Sequence, residues 1–167
     1  MYGTEWLLRW KNDPKFFGWI AYTLSRSERQ EHPGEEWHPY LYDQTNILTL
    51  LASYILPRGF QVGARYRYVT GNPYTPITGA YFDSNIDAYT PIYGTPFSAR
   101  LPAFNQLDLR VDKQWTFDRW RISIYLDVQN ATRATNAEAV RFNFDFTSSR
   151  PLAGLPLLPI CGVRGDF

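Results

Sequence analysis

Apolar and polar residues alternate along most of this chain with a period of two. In residues 59–70, Phe60, Val62, Ala64, Tyr66 and Tyr68 fall on one side, and Gln61, Gly63, Arg65 and Arg67 on the other. Residues 103–115 repeat the pattern, with Leu107, Leu109, Val111 and Trp115 against Gln106, Asp108, Arg110, Asp112 and Gln114. Residues 120–129 do so again, with Trp120, Ile122, Ile124, Leu126 and Val128 against Arg121, Ser123, Tyr125, Asp127 and Gln129. Successive side chains of a strand point to opposite faces, so each segment predicts a β-strand with one greasy and one charged side.

Weaker copies fill in the rest. Trp6, Leu8 and Trp10 alternate with Glu5, Leu7 and Arg9; Phe16, Gly18, Ile20, Tyr22 and Leu24 alternate with Phe17, Trp19, Ala21, Thr23 and Ser25. Leu48, Leu50, Ala52, Tyr54 and Leu56 alternate with Ile47, Thr49, Leu51 and Ser53; a helix competes there, but the β-branched and Tyr content and the Pro57 stop favour a strand. The last run, 157–167, puts Leu157, Cys161, Val163 and Phe167 opposite Arg164 and Asp166.

The connections alternate in length. Residues 12–15, 57–59 and 118–119 read as tight turns of Pro, Gly, Asp and Asn, whereas 29–42, 71–100 and 131–156 are long polar or Gly/Pro-rich loops. Short turns alternating with long loops are the habit of outer-membrane barrels. The last loop has its own alternation, Val140, Phe142, Phe144 and Phe146 against Arg141, Asn143 and Asp145, which predicts a hairpin arm above the membrane. Trp10, Phe16, Phe60, Trp115, Phe117, Trp120 and Phe167 sit by the short turns or the C-terminus, and Tyr22, Tyr66 and Tyr68 towards the long loops, as two aromatic girdles would. The expectation is an all-β fold: an antiparallel transmembrane β-barrel segment of about six membrane strands plus an extracellular loop hairpin. A soluble β-sandwich is the competing architecture.

Composition narrows the function. The chain has 167 residues, with 17 basic and 16 acidic side chains and a formal charge of +1, which gives no basic excess for nucleic acid. Cys161 is the single cysteine, so no multi-Cys zinc site or internal disulfide exists. No run approaches the roughly 20 apolar residues of a membrane helix; mean hydropathy is −0.38, but alternation hides a barrel's lipid face from any average. No Ser/His/Asp, Cys/His or paired-carboxylate spacing points to catalysis, so no enzyme is expected. His32, His38, Asp83, Asp87 and the acidic stretch 28–36 lack ligand spacing, so no metal and no cofactor is expected.

Four segments carry a family resemblance. Gly63-Ala-Arg-Tyr-Arg-Tyr-Val-Thr-Gly-Asn-Pro-Tyr-Thr-Pro76 resembles a strand-and-loop run late in TonB-dependent receptor barrels, and Leu101-Pro-Ala-Phe-Asn-Gln-Leu-Asp-Leu-Arg-Val-Asp-Lys113 the strand after it. Ile124-Tyr-Leu-Asp-Val-Gln-Asn130 is similar to the penultimate strand, and Leu157-Leu-Pro-Ile-Cys-Gly-Val-Arg-Gly-Asp-Phe167 to the terminal one with its aromatic end. The resemblance implies the C-terminal part of a 22-stranded barrel in the outer membrane of a Gram-negative bacterium. The plug and upstream strands would be absent from residues 1–167. The full-length form would import a scarce nutrient (a ferric siderophore, corrinoid or glycan) energised through TonB, which this part would reach only through the missing N-terminal part. A stand-alone small or porin-like barrel, or a structural protein, is the alternative. The implied partners are outer-membrane lipid, the barrel assembly machinery acting on Phe167, and an unidentified small-molecule ligand. Gly165 stands where that assembly signal usually has a hydrophobic residue.

The candidate lumen wall, or plug-facing set, is Asp108, Arg110, Asp112, Arg121 and Asp127; a charge-balanced wall that merely cannot face lipid accounts for it as well. Candidate ligand-binding residues are Arg65 and Arg67, which would attract an anion unless carboxylates on neighbouring strands hold them. Tyr74, Tyr81, Tyr89 and Tyr93 join them as aromatics of a stacking loop, which could equally pack the loop on itself. Leu109→Arg is expected to be costly and Asp108→Asn mild.

Overall fold

The computed structural model describes residues 1–167. It is all-β and antiparallel, with no α-helix, hence none long and apolar enough to cross a membrane. One sheet of seven strands organises it: β1 (Tyr2–Trp10), β2 (Phe16–Arg26), β3 (Asn46–Leu56), β4 (Phe60–Val69), β5 (Phe104–Thr116), β6 (Arg121–Gln129) and β7 (Leu158–Asp166), each paired with the next in chain order. The long strands number seven, where about six are expected from sequence. Both terminal runs belong to the sheet, whereas the arm in the last loop does not.

Register turns the alternating pattern into continuous stripes. Leu8 pairs with Ile20, Ile20 with Leu50, Leu50 with Tyr66 and Tyr66 with Leu107, a row of large apolar side chains across five strands. Nearer the short turns, Phe16, Tyr54, Val62, Val111, Leu126 and Cys161 form another such row. The opposite face carries Arg65 beside Asp108, and Arg110 beside Asp127. A one-residue slip anywhere would mix the two faces, so the pattern fixes the register.

No core forms beneath this sheet. Val69 is the one buried hydrophobic residue, and Leu109, Val111, Ile124 and Leu126 are all more than two-fifths exposed. The accessible surface is 12087 Å², against about 8,500 Å² for a folded globular monomer of this mass. The sheet does not close: β1 and β7 each have one unpaired edge.

The short-turn end is built of rings. Phe117 stacks on Trp120 at 4.2 Å between centroids, and Phe167 lies against the same indole at 6.3 Å. Lys113 is the one charge at an apolar-face position of β5. Its ammonium rides over Phe60 (4.4 Å) and Trp115 (5.2 Å) and donates to the Arg58 carbonyl in the β3–β4 turn. At the other end, the loops between β4 and β5 and between β6 and β7 each raise a two-stranded arm, Ile77–Asp83 with Ala88–Tyr93 and Ala137–Phe142 with Ser149–Ala153. The second arm is the expected hairpin; the first was not legible as one.

Candidate functional site: a collar under the loops and a charged wall

The tight packing of this molecule lies where the long loops root on the sheet. Six of its eight buried residues, Asp43, Val69, Gly71, Pro73, Asn130 and Asn136, sit in that collar. Asp43 is its first keystone. The Ser27 N–H donates to Oδ1 (2.6 Å) and the Thr45 hydroxyl to Oδ2 (3.2 Å). Arg100, from the next loop, forms an ion pair with the same carboxylate and donates to the carbonyls of Asp43 (2.7 Å) and Gly71 (3.1 Å). Burial alone would raise the Asp43 pKa; the hydrogen bonds from Arg100 and the Ser27 N–H outweigh it and leave the carboxyl below its usual range. Gly71 is required by close approach, since a Cβ there would lie 1.8 Å from the Leu101 carbonyl oxygen.

Asn130 is the second keystone, at the upper end of β6 in left-handed conformation (φ 51°), which Asn tolerates better than most residues. Its side chain donates to the carbonyls of Ala134 (3.0 Å) and Leu155 (2.9 Å) and accepts the Ala134 N–H. Its own N–H donates to Asp108 (3.0 Å), which ties the collar to the wall below. Asn136 accepts the Asn105 N–H (2.9 Å), fastening the same loop to β5.

Below the collar, the polar face holds the expected charged set. Arg65 grips Asp108 through Nε (3.0 Å) and Nη2 (2.6 Å), and Gln106 donates to the other carboxylate oxygen (2.7 Å). Asp108, mostly buried and receiving bonds from three residues besides itself, cannot become an amide without setting donor against donor. The sequence expectation of a mild Asp108→Asn change is therefore revised. Arg110 pairs with Asp112 (2.7 Å), approaches Asp127 (3.7 Å) and lies 4.1 Å over the Tyr125 ring. Tyr125 in turn lies across Gly162, where any Cβ would meet the phenol at 2.5 Å. Arg121 sits opposite Asp166 without an ion pair, lower on the same face. Arg65, Asp108, Arg110, Asp112 and Asp127 line a depression of about 410 Å³.

The six candidate ligand residues do not converge. Arg65 is neutralised by Asp108, whereas Arg67 has no carboxylate partner and sits 5.7 Å over Phe104, in a 290 Å³ hollow with Gln44, Asn72 and Glu138 at the roots of all three loops. Tyr74 lies in the collar, paired with Ala99. Tyr81 and Tyr89 occupy adjacent rows of the first arm and hence opposite faces. Tyr89 meets Phe82 (5.4 Å) and, edge-on, Phe144 of the other arm (6.0 Å); Tyr93 stays exposed. Sequence reading missed Asp43, Arg100, Asn130 and Asn136 as collar residues, because their partners are set by loop geometry rather than spacing. Among side chains that could ligate a metal, no group of three or more comes together. No protein-family model matches the chain, and neither a curated protein nor a solved structure matches it.

Proposed function

We propose that this chain is a section of the wall of an outer-membrane β-barrel of the TonB-dependent receptor type, whose complete form takes up a scarce nutrient. One observation carries the membrane reading: rows of large apolar side chains run in register across the sheet, exposed, opposite a face of paired charges. Water would penalise the first face and hydrocarbon the second, so the sheet belongs between the two. Strands of nine to thirteen residues meet the about 9–11 needed to cross a bilayer at a tilt. The receptor type rests on the four resembling segments, which form β4 with its collar, β5, β6 up to Asn130, and β7.

Strand direction separates this reading from a small oligomeric pore. With seven antiparallel strands, β1 and β7 run the same way, both from the long-loop end to the short-turn end. Identical copies joined edge to edge would meet in parallel, or with loops on opposite sides of the membrane. Antiparallel closure needs an odd number of further strands, and 22 less seven is odd. In this reading Arg67 and the hollow at the loop roots face incoming ligand, and the wall below lines its path.

Depth-dependent quenching tests the membrane reading. Single-Trp variants refolded in vesicles with bromine-labelled acyl chains should be quenched strongly when the tryptophan is Trp10, Trp115 or Trp120, and weakly when it is Trp19 on the polar face. Equal quenching at Trp19 and Trp10, or a monomer that stays dissolved without detergent or lipid, would refute it.

A further inference from the structure

The arm formed by Ala137–Phe142 and Ser149–Ala153 sets two arginines directly opposite each other, Arg141 against Arg150. Direct cross-strand partners project from the same face, and like charges there destabilise a hairpin. Nothing in the molecule relieves the repulsion, since neither guanidinium belongs to any of the six ion pairs. The carboxylate at the arm's tip, Asp145, is already engaged: the Thr147 hydroxyl (2.7 Å) and N–H (3.1 Å) both donate to it. Those bonds hold its carboxyl below the usual range. The tip is preformed, because Asn143 accepts the Ser148 N–H (3.1 Å) and donates to the Thr147 hydroxyl (3.1 Å). Arg141, Arg150, Asn143, Ser148 and Ser149 line a hollow of about 340 Å³.

We propose that this hollow is an oxyanion site that takes a phosphate monoester. Two guanidinium forks supply two positive charges and planar pairs of N–H donors. A phosphate monoester brings about −1.5 to −2 charge and three acceptor oxygens, so it neutralises both arginines at once, and the Ser148 hydroxyl, on the same face of the arm, completes the donor set. A carboxylate, with one charge and two oxygens, would satisfy only one fork. The phosphate has two possible sources on the long-loop side, a soluble phosphorylated molecule and the headgroup of a phosphorylated lipid.

The test uses the full chain, isotopically labelled, in uncharged maltoside micelles at constant ionic strength. Inorganic phosphate should shift the Arg141 and Arg150 Nε–H resonances saturably in the millimolar range, with acetate at least tenfold weaker. Either Arg141→Gln or Arg150→Gln should weaken phosphate at least tenfold, and each variant stays folded because it removes a like-charge contact. In vesicles of phosphatidylcholine without soluble phosphate, added phosphatidic acid should reproduce the shifts if the lipid headgroup is the source. Shifts with soluble phosphate alone assign a soluble one. Non-saturating shifts, or equal shifts in the double variant Arg141→Gln/Arg150→Gln followed at the Ser148 and Ser149 amides, would overturn the site.

Discussion

Asp108 and Leu109 are adjacent in sequence, yet they lie on opposite faces of the sheet, which in the proposed wall meet opposite solvents. Asp108 is gripped by Arg65, Gln106 and the Asn130 N–H, whereas Leu109 stands 42% exposed in the apolar band. Leu109→Arg should cost about 2 to 4 kcal/mol in vesicles, because the charge meets hydrocarbon. Asp108→Asn should cost on the order of 2 to 3 kcal/mol, through donors left facing a donor. Denaturant unfolding in lipid measures both, and a neutral Asp108→Asn would mean that the wall network is not formed. Asp43 gives a pH signature. Its carboxyl is depressed in the folded state, so its stabilisation is complete above the ordinary aspartate value near 3.9 and fades as pH falls through the lower folded value. Hydrogen exchange at the Ser27 amide, which donates to Asp43, should accelerate below about pH 4, and Asp43→Asn should bring that looseness to neutral pH.

At the scale of elements, the seven strands were legible because a half-exposed strand writes its facing directly into residue parity. Each of the long alternating runs takes its place in the sheet with its expected faces in common rows. The expected number of about six is one below the seven alternating runs read from the sequence, all of which lie in the sheet. The collar was invisible for a physical reason: Asp43 and Arg100 are 57 positions apart, and no periodicity links a loop carboxylate to a loop guanidinium. The first arm was masked because apolar residues occupy both of its faces, as with the consecutive Tyr81 and Phe82, so no apolar–polar alternation announces it. One element-level contact is tight enough to predict from. Gly162→Val would drive a side chain into the Tyr125 ring, and should cost about 1 to 3 kcal/mol, release Arg110 from its cation–π contact, and loosen β7 from β6 as read by amide exchange at Ile160 and Arg164, whose N–H groups face β6.

For the whole molecule, the charges are arranged by end. The short-turn end carries Lys11, Lys15, Arg58, Lys113 and Arg119 against Asp13 and Asp118, whereas the long loops are near balance, with seven acidic residues against five basic ones. Lys113 lays its stem along the apolar face and keeps its ammonium at the turn, which is how a lysine sits at the boundary of a bilayer. Lys113→Glu should weaken partitioning to vesicles rich in phosphatidylglycerol by about 1 kcal/mol or more, with little change on phosphatidylcholine, as measured by co-flotation. The free edges of β1 and β7 have a consequence for how such a polypeptide travels. β1 carries neither proline nor bulge, and its nine residues offer a straight row of unsatisfied amides and carbonyls beside Trp6, Leu8 and Trp10. In aqueous transit that margin is a template for indiscriminate strand addition and fibril growth. If the sheet is the membrane wall proposed above, its delivery to a bilayer would require that margin to stay masked until neighbouring strands zip onto it.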